Sequence, residues 1–202
     1  MRGDNILYRF IRSFFHYFFK VFFRYKIVGA EHIPAHGGVI IAANHISLWD
    51  PPALGAAFIR PIHFMAKEEL FNIPILKWVI TKIHAFPVKR GAADRSAIKH
   101  AINLLKKGDI LGVFPEGTRS KSGELGKPEP GMIMIALKAG APIVPAAIIG
   151  TNQIFKKGCF LPQFIIKFGV PIHIGEEKTD KEMMEGLNNK VMQEISRLLK
   201  ER

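Results

Sequence analysis

Residues 38–52 read Gly-Val-Ile-Ile-Ala-Ala-Asn-His-Ile-Ser-Leu-Trp-Asp-Pro-Pro. The apolar run at the start of this stretch, Gly38 to Ala43, is typical of a strand that is buried on both faces. The two prolines at its end suit the first turn of a helix. The residues in between therefore form a turn that leads from a buried strand into a helix, which is the building unit of α/β domains.

The rest of the chain repeats this alternation of short apolar runs and helical periodicity. Further strands are predicted at residues 62–66, 84–88, 110–114, 143–149 and 163–170, and helices at residues 51–58, 75–82, 94–107 and 131–139. Thr179 and Glu182 match a capping box, and the last helix that they begin should bury Met183, Leu187, Val191, Ile195 and Leu198. We expect an α/β fold with a mixed, largely parallel sheet flanked by helices on both faces.

Length and composition predict one globular domain. Of the 202 residues, 48% are apolar and 23% are charged, which is ordinary for a chain that folds around one core.

The formal charge of +12 favours an anionic partner: phospholipid headgroups, a phosphorylated substrate or nucleic acid. The single cysteine, Cys159, excludes an intrachain disulfide and a Cys-based zinc site, and it indicates a reducing compartment, in the cytosol or facing it.

Residues 1–25 are dense in phenylalanine, with basic side chains at every third or fourth position: Arg9, Arg12, His16, Lys20 and Arg24. Because these break the apolar run, it falls short of the ~20 residues that a membrane span needs. We expect a membrane-interface amphipathic helix at residues 1–25, with phenylalanines among the acyl chains and the basic stripe on lipid phosphates, followed by the α/β domain at residues 26–202. The alternative is a helix that packs on the protein's own core. A cleaved signal peptide fits poorly, since no small-residue cleavage site follows.

His45 and Asp50 are candidate catalytic residues. Five positions apart on a regular helix they would point roughly 140° away from each other, but in a turn they can meet. A carboxylate that accepts from one imidazole nitrogen leaves the other nitrogen free to take a proton from a hydroxyl. In the competing interpretation, Asp50 merely caps the helix and His45 is a core residue.

Two further motifs follow in order: Phe114-Pro-Glu-Gly-Thr-Arg-Ser120 leaves a predicted strand, and Pro142-Ile-Val-Pro145 begins the next one. Together with Asn44-His-x4-Asp50 they resemble the motifs of the glycerolipid acyltransferase family, which includes 1-acylglycerol-3-phosphate (lysophosphatidic acid) acyltransferase. The resemblance covers residues 26–175. It implies an enzyme that moves a fatty acyl group from acyl-CoA or acyl carrier protein to the free hydroxyl of 1-acylglycerol-3-phosphate, forming phosphatidic acid in phospholipid biosynthesis.

The resemblance also implies roles for single residues. His45 would be the general base and Asp50 its partner. The substrate-binding positions would be Lys67, Arg90, Glu116, Gly117, Thr118 and Arg119, with Lys67 and Arg90 helping to hold the acceptor's phosphate. The alternatives are a surface ion pair between Glu116 and Arg119, and solvated cations at Lys67 and Arg90. Two positions depart from the family: His84, where glycine is common, and Glu129, where many relatives have lysine.

The sequence favours direct transfer without an acyl-enzyme. It contains no Gly-x-Ser-x-Gly motif, and Cys159 lies in no matching motif, but a thioester carbonyl is already activated and needs only a base. Backbone N–H groups near the His-Asp turn are the expected oxyanion donors. No cofactor is expected besides the acyl donor, which is a substrate. No metal is expected either, since Pro34 interrupts any helix between His32 and His36.

Other functions remain open at this point. The acceptor could be glycerol-3-phosphate or another lysophospholipid. A non-enzymatic basic membrane-binding module would account for the charge and the first helix but not for the motifs. Nucleic-acid binding is disfavoured, because the aromatic residues cluster in one apolar helix. We expect the protein on the cytoplasmic face of the cell membrane, with anionic phospholipid, lysophosphatidic acid and the acyl donor as its partners.

Overall fold

A computed structural model describes residues 6–89, 94–154, 161–175 and 180–201. Within these ranges the chain forms helices and strands that alternate as predicted. They are α1 (Ile6–Phe22), β1 (Lys26–Val28), β2 (Val39–Ala43), α2 (Asp50–Gly55), β3 (Ile62–Lys67), α3 (Pro74–Lys82), β4 (Ala85–Val88), α4 (Arg95–Lys106), β5 (Ile110–Val113), α5 (Gly131–Ala139), β6 (Ile143–Ile149), β7 (Ile165–Phe168) and α6 (Lys181–Lys200).

The strands form one sheet in the order β1-β7-β6-β2-β5-β3-β4. The central strand β2 pairs in parallel with β5 on one side and with β6 on the other. β6 and β7 are antiparallel, whereas the other pairings between these strands are parallel. The predicted mixed, largely parallel sheet is therefore confirmed. β1 was not predicted, because three residues are too few to show a period.

Both faces of the sheet are covered, as β2 shows. All five of its residues are fully buried, and their side chains alternate between two cores. Val39, Ile41 and Ala43 pack with side chains of α1 and α2, whereas Ile40 and Ala42 pack with side chains of α4, α5 and α6. A strand that is buried on both faces needs the continuous apolar run that the sequence has there.

The last helix starts slightly later than predicted and buries three of its five predicted core residues fully, with Leu187 half-buried. Its N-cap is Asp180, whose Oδ1 accepts from the N–H of Met183 at 2.8 Å. Thr179, the predicted cap, lies outside the described residues. Met183 was predicted to be buried but is 46% exposed. Asn188 is buried instead, together with the predicted Val191, Ile195 and Leu198.

One face of α1 packs on the domain. Tyr8 and Phe19 are buried, Phe19 completely, and so is Phe23 just after the helix. The rings of Phe19 and Phe23 lie against Phe164, with centroid distances of 5.3 and 4.6 Å. Tyr8 also ties α1 to the sheet, because its hydroxyl accepts from the N–H of Ile62 at the start of β3. The alternative in which α1 packs on the core is thus correct for this face.

The predicted basic stripe of α1 does not face outward as a unit. The guanidinium of Arg12 donates to the carbonyl oxygen of Phe58 at 3.1 Å. Nδ1 of His16 lies 3.1 Å from the carbonyl oxygen of Ala56. Both carbonyls follow the end of α2, where a helix leaves carbonyl groups without partners. Arg12 and His16 therefore bind the domain, and the prediction that they face lipid phosphates is wrong.

The opposite face of α1 is apolar and exposed. Its large side chains are between 48% and 84% exposed: Ile6, Phe10, Phe14, Tyr17, Val21 and Phe22. Arg9 and Lys20 are exposed beside it. Among the described residues, no helix is long and apolar enough to cross a membrane.

Candidate active site

His45 and Asp50 face each other just beyond the carboxyl end of β2. Nδ1 of His45 lies 2.8 Å from Oδ2 of Asp50. The same oxygen accepts from the backbone N–H groups of Ile46 at 2.6 Å and Ser47 at 2.7 Å. Because Oδ2 acts as an acceptor toward these groups, the hydrogen-bond network assigns the imidazole hydrogen to Nδ1. Nε2 then keeps its lone pair, which is what a general base needs.

Asp50 is completely buried and organises this turn from inside. It is the first residue of α2 and not its cap, because the N-cap is Trp49. Its carboxylate turns back toward the residues that precede it. This is why a side chain that looked like a helix cap in the sequence instead holds His45 and the turn.

Five N–H groups of the turn are already engaged within the protein. Those of Ile46 and Ser47 donate to Asp50, and that of Trp49 donates to Oγ of Ser47. The N–H of His45 donates to a glutamate, and that of Asp50 donates to the carbonyl oxygen of Ser47. None of these five has a second hydrogen to offer to an oxyanion. For the other N–H groups near the turn, the expectation stays a prediction.

Asn44 fixes the turn to the neighbouring strand β6. The side chain is only 2% exposed. Its Oδ1 accepts from the N–H of Ile148 at 2.7 Å, and its Nδ2 donates to the carbonyl oxygen of Ile148 at 3.0 Å. The amide thus continues the pairing of β2 with β6 at the point where β2 itself ends.

The loop from Phe114 to Ser120 contacts His45 at three points. The ring of Phe114 is stacked on the imidazole. Oε1 of Glu116 accepts from the N–H of His45 at 3.0 Å, and the N–H of Ser120 donates to the carbonyl oxygen of His45 at 2.8 Å. Glu116 is 7% exposed, and its Oε2 accepts from the N–H of Gly126 at 2.9 Å. The carboxylate that was predicted to bind the acceptor holds the His45 turn in this structure.

Gly117 is required by the shape of this loop. Its N–H donates to the carbonyl oxygen of Phe114 at 3.0 Å, which closes a tight turn. Its φ of 65° lies in the left-handed region that glycine adopts without strain. A Cβ at this position would lie 3.2 Å from Cγ of Glu129. Gly117 therefore shapes the loop and offers no side chain for binding.

The predicted phosphate-binding cations are placed at this edge of the sheet. Thr118 and Arg119 are exposed, and Arg119 directly precedes Ser120, which is bonded to His45. Lys67 ends β3, and its Nζ lies 3.0 Å from Oε1 of Glu69, with both side chains exposed. Exposed pairs of this kind contribute about 0–1 kcal/mol, so a phosphate can displace the carboxylate. Arg90 lies outside the described residues.

Metal binding finds no support in the described ranges, where no group of three or more His, Cys, Asp or Glu side chains is placed to hold an ion. Nδ1 of His32, from the weak His-x3-His pattern, lies 2.9 Å from the carbonyl oxygen of Phe168.

Comparison with known proteins shows the family of this chain. A family model described as Acyltransferase matches residues 24–149, more than half of the chain. The chain belongs to the acyltransferase family. The 1-acyl-sn-glycerol-3-phosphate acyltransferase of Bacillus subtilis is 36% identical over 179 residues, which cover 86% of this chain and 87% of that relative. The protein of the same name from Borreliella burgdorferi is 33% identical over 150 residues, which cover 73% of this chain and 58% of the relative.

A solved structure shows the same architecture for this acyltransferase. It is the crystal structure of the 1-acyl-sn-glycerophosphate (LPA) acyltransferase PlsC from Thermotoga maritima, with 31% sequence identity and a TM-score of 0.73. The match covers 98% of this chain and 83% of that chain. The fold predicted from the alternating pattern is thereby confirmed.

The backbone at His84 suits the glycine that the resemblance implies at this position. His84 has a φ of 62°, in the left-handed region that glycine adopts without strain. Its ring lies 4.7 Å from that of Tyr8 and 5.0 Å from that of His63. The side chain therefore packs between α1 and β3.

Thr151 is a residue of the site that the sequence analysis missed. Its Oγ1 donates to Oδ1 of Asp50 at 2.5 Å, and its side chain is 1% exposed. The two residues lie 101 positions apart, so spacing gives no signal. The one available signal is that Thr151 follows β6, the strand next to β2.

Proposed function

We propose that this acyltransferase forms phosphatidic acid by moving a fatty acyl group from a thioester donor to the free hydroxyl of 1-acylglycerol-3-phosphate. The observation that carries the proposal is the His45–Asp50 pair, in which Nδ1 is bonded to a buried carboxylate and Nε2 keeps its lone pair. The relatives from Bacillus subtilis and Borreliella burgdorferi bear the name of this activity.

In the proposed step, Nε2 of His45 takes the proton of the acceptor hydroxyl while its oxygen attacks the thioester carbonyl carbon. The new C–O bond forms and the C–S bond breaks. The leaving sulfur takes the proton back from the imidazolium, which restores the base and releases a free thiol. Asp50 stabilises the imidazolium charge in between, and a positioned base of this kind contributes roughly 10²–10⁴-fold to the rate.

The acceptor's phosphate is held by Arg119 and Lys67 in this proposal. Arg119 offers a forked set of donors and Lys67 a point charge. Arg119 lies next to the bond between Ser120 and His45, so the phosphate site and the base are tied to one another through the backbone. Such positioning brings the hydroxyl to Nε2 and lowers the entropic part of the barrier.

The proposal includes docking on an anionic membrane through α1. The exposed apolar side chains of its outer face would enter the acyl region, with Arg9 and Lys20 near the headgroups. Each cation close to such a surface contributes about 1 kcal/mol. The single cysteine of the chain favours the cytoplasmic face.

An assay in mixed micelles tests the activity. Purified protein receives lysophosphatidic acid with acyl-CoA or with acyl carrier protein as the donor, and phosphatidic acid is measured. Glycerol-3-phosphate and lysophosphatidylcholine serve as competing acceptors. We expect phosphatidic acid with at least one donor. Transfer to another acceptor alone would make that compound the substrate, and no transfer at all would favour the non-enzymatic membrane-binding module.

A further inference from the structure

The helix α3 is left almost without cover by the rest of the domain. None of its nine residues is buried. Ile75 is 80% exposed and Trp78 is 57% exposed. Exposed apolar side chains just before α3 continue this surface. It comprises Leu70, Ile73, Ile75, Trp78 and Val79. A crossover helix of a soluble domain normally turns its apolar side chains toward the sheet, so this surface requires a partner.

α3 lies on the same side of the sheet as α1. The connections through α2 and α3 both lead toward the β4 edge, and right-handed crossovers place both helices on one face. α1 packs on this same face, together with α2. The ring of Tyr8 in α1 contacts His84, two residues after α3, and Ile83 lines an apolar cleft together with Tyr8 and Ile11. The exposed apolar faces of α1 and α3 therefore belong to one side of the molecule.

The charge of both helices matches an anionic lipid surface. Residues 6–25 and 70–89 contain no Asp or Glu, but they contain seven Lys and Arg side chains: Arg9, Arg12, Lys20, Arg24, Lys77, Lys82 and Lys89. Arg12 adds to this net charge but is bonded to the carbonyl oxygen of Phe58 and does not face lipid. The nearest acids, Glu68 and Glu69, pair with Lys89 and Lys67 at 4.0 and 3.0 Å. Trp78 adds the side chain that is enriched at the boundary between water and hydrocarbon.

We propose that α3 is a second membrane-contact element, which inserts beside α1 and docks the domain through two helices. Leu48, between His45 and Asp50, is 72% exposed, and Leu70 and Ile73 follow the end of β3. Apolar side chains thus also surround the edge of the sheet that carries the catalytic pair. Docking through α3 brings this edge to the surface from which a lipid acceptor arrives. The inference rests on the proposed docking of α1.

The fluorescence of Trp78 measures this contact directly. The chain has two tryptophans, so the Trp49→Phe variant carries Trp78 as its sole tryptophan. The protein is mixed with vesicles of phosphatidylglycerol, with and without bromine on the acyl chains. We expect its emission to shift to the blue and to be quenched by the bromine. If the protein sediments with the vesicles while the emission of Trp78 stays unchanged, α3 faces water or a protein partner and the inference is wrong.

Two surface variants give an independent measurement. Ile75→Ser with Val79→Ser should weaken vesicle binding roughly tenfold, since two apolar side chains no longer leave water. The matched control is Val170→Ser, which changes a 64% exposed valine after β7 and should bind as wild type. Equal binding of all three proteins would contradict the inference. If wild-type protein does not sediment with the vesicles at all, the proposed docking of α1 is wrong as well. Acyl transfer in mixed micelles is measured independently of both docking proposals.

A separate observation concerns the hydroxyl of Thr151. Oδ2 of Asp50 accepts from His45, Ile46 and Ser47, which lie in the same turn. Oδ1 accepts from Thr151, which lies on a different segment after β6. Both side chains are buried, so water does not replace this bond readily. The bond therefore fixes the rotation of the carboxylate about its own axis.

The conformation after β6 places Thr151 where it reaches Asp50. The preceding Gly150 has a φ of 88°, and a Cβ on it would lie 1.9 Å from the carbonyl oxygen of Gln163. Any other residue at position 150 would push this turn away from the segment that precedes β7. We infer that Thr151 is a positioning residue that keeps Oδ2 of Asp50 directed at Nδ1 of His45. It acts through Asp50 and needs no contact with the substrate.

Thr151→Val removes the hydroxyl but keeps the shape, and Thr151→Ser keeps the hydroxyl. We expect Val to lower kcat roughly tenfold, as loss of one hydrogen bond to a charged group implies, with an unchanged KM for the acceptor. Ser should restore kcat. If Val does not fold, Thr151→Ala against Thr151→Ser gives the same comparison. Wild-type kcat without the hydroxyl, or an equal loss of kcat in the Val and Ser variants, would overturn the inference.

Discussion

The imidazole of His45 is stacked on the ring of Phe114, with the ring centroids 4.1 Å apart and the planes inclined by 18°. Phe114 in turn is stacked on Phe64 of β3, with centroids 6.0 Å apart. The imidazole of His45 therefore rests on an aromatic stack that is anchored in the sheet. Glu116 and Ser120 also bond the backbone of His45. The motif at residues 114–120 therefore supports the motif at residues 44–50.

Glu116→Gln tests whether Glu116 holds the His45 turn or binds the acceptor. Glutamine has one oxygen to accept from two N–H groups, so either His45 or Gly126 loses its partner. We expect kcat to fall and the KM for lysophosphatidic acid to stay near wild type. Glu124→Gln, at an exposed position of the same loop, is the matched control. A raised KM with unchanged kcat would instead support the acceptor-binding role that the family resemblance implies.

Arg119→Ala should act on the acceptor alone. A charge-assisted bond to phosphate contributes about 1.5–3 kcal/mol, so kcat/KM for lysophosphatidic acid should fall roughly 10- to 150-fold while the KM for the donor is retained. Lys121→Ala removes an exposed cation two residues away and serves as the control. Steady-state kinetics with both substrates varied make the distinction. If only the kinetic constants for the donor change, Arg119 does not bind the acceptor's phosphate.

The basic residues of α1 should divide into two groups. Arg12→Ala removes a bond to the carbonyl oxygen of Phe58 and should lower the melting temperature, with vesicle binding nearly unchanged. Lys20→Ala changes an exposed side chain and should weaken binding to anionic vesicles without affecting the melting temperature. Thermal unfolding and vesicle sedimentation measure the two effects. Equal loss of vesicle binding in both variants would restore the original idea of one lipid-facing stripe.

His63 should make the fold less stable in acid. Burial, aided by the nearby His84, lowers the pKa of His63 from 6.5 to about 4, with Asp109 opposing this and His100 adding to it. Between these values the unfolded chain binds the proton and the folded chain does not, so stability falls as the pH drops from 6.5 toward 4.

His63→Gln removes this titrating group, and the melting temperature should then fall less over the same pH interval. His36→Gln, at an exposed histidine, controls for the loss of one such residue. A slope that is identical in wild type and His63→Gln would show that His63 does not contribute.

Local patterns in the sequence predicted most of the fold. Apolar runs located β2 and β6, and the bounds of α5 and β6 were predicted to the residue, because Gly140 ends the helix in the left-handed conformation. His45 and Asp50 could be paired because Pro51 excludes a continuous helix through the segment.

What the sequence missed depends on contacts between distant segments. Arg12 lies on a regular basic stripe, and only the packing of α1 on α2 shows that it binds Phe58. Glu116 could not be assigned to the N–H of His45, and Thr151 could not be assigned to Asp50, because no period relates residues 71 or 101 positions apart. Tertiary structure, and not local preference, decides these partners.

Turnover of His45→Ala tests the central claim most directly. The variant is assayed in mixed micelles with lysophosphatidic acid and the better donor, and circular dichroism and thermal unfolding check that it folds as wild type. If Nε2 of His45 is the base, kcat falls roughly 10²–10⁴-fold or more, whereas the exposed His36→Ala retains full activity. A folded His45→Ala protein that keeps more than about a tenth of wild-type turnover would contradict the assignment of His45 as the base.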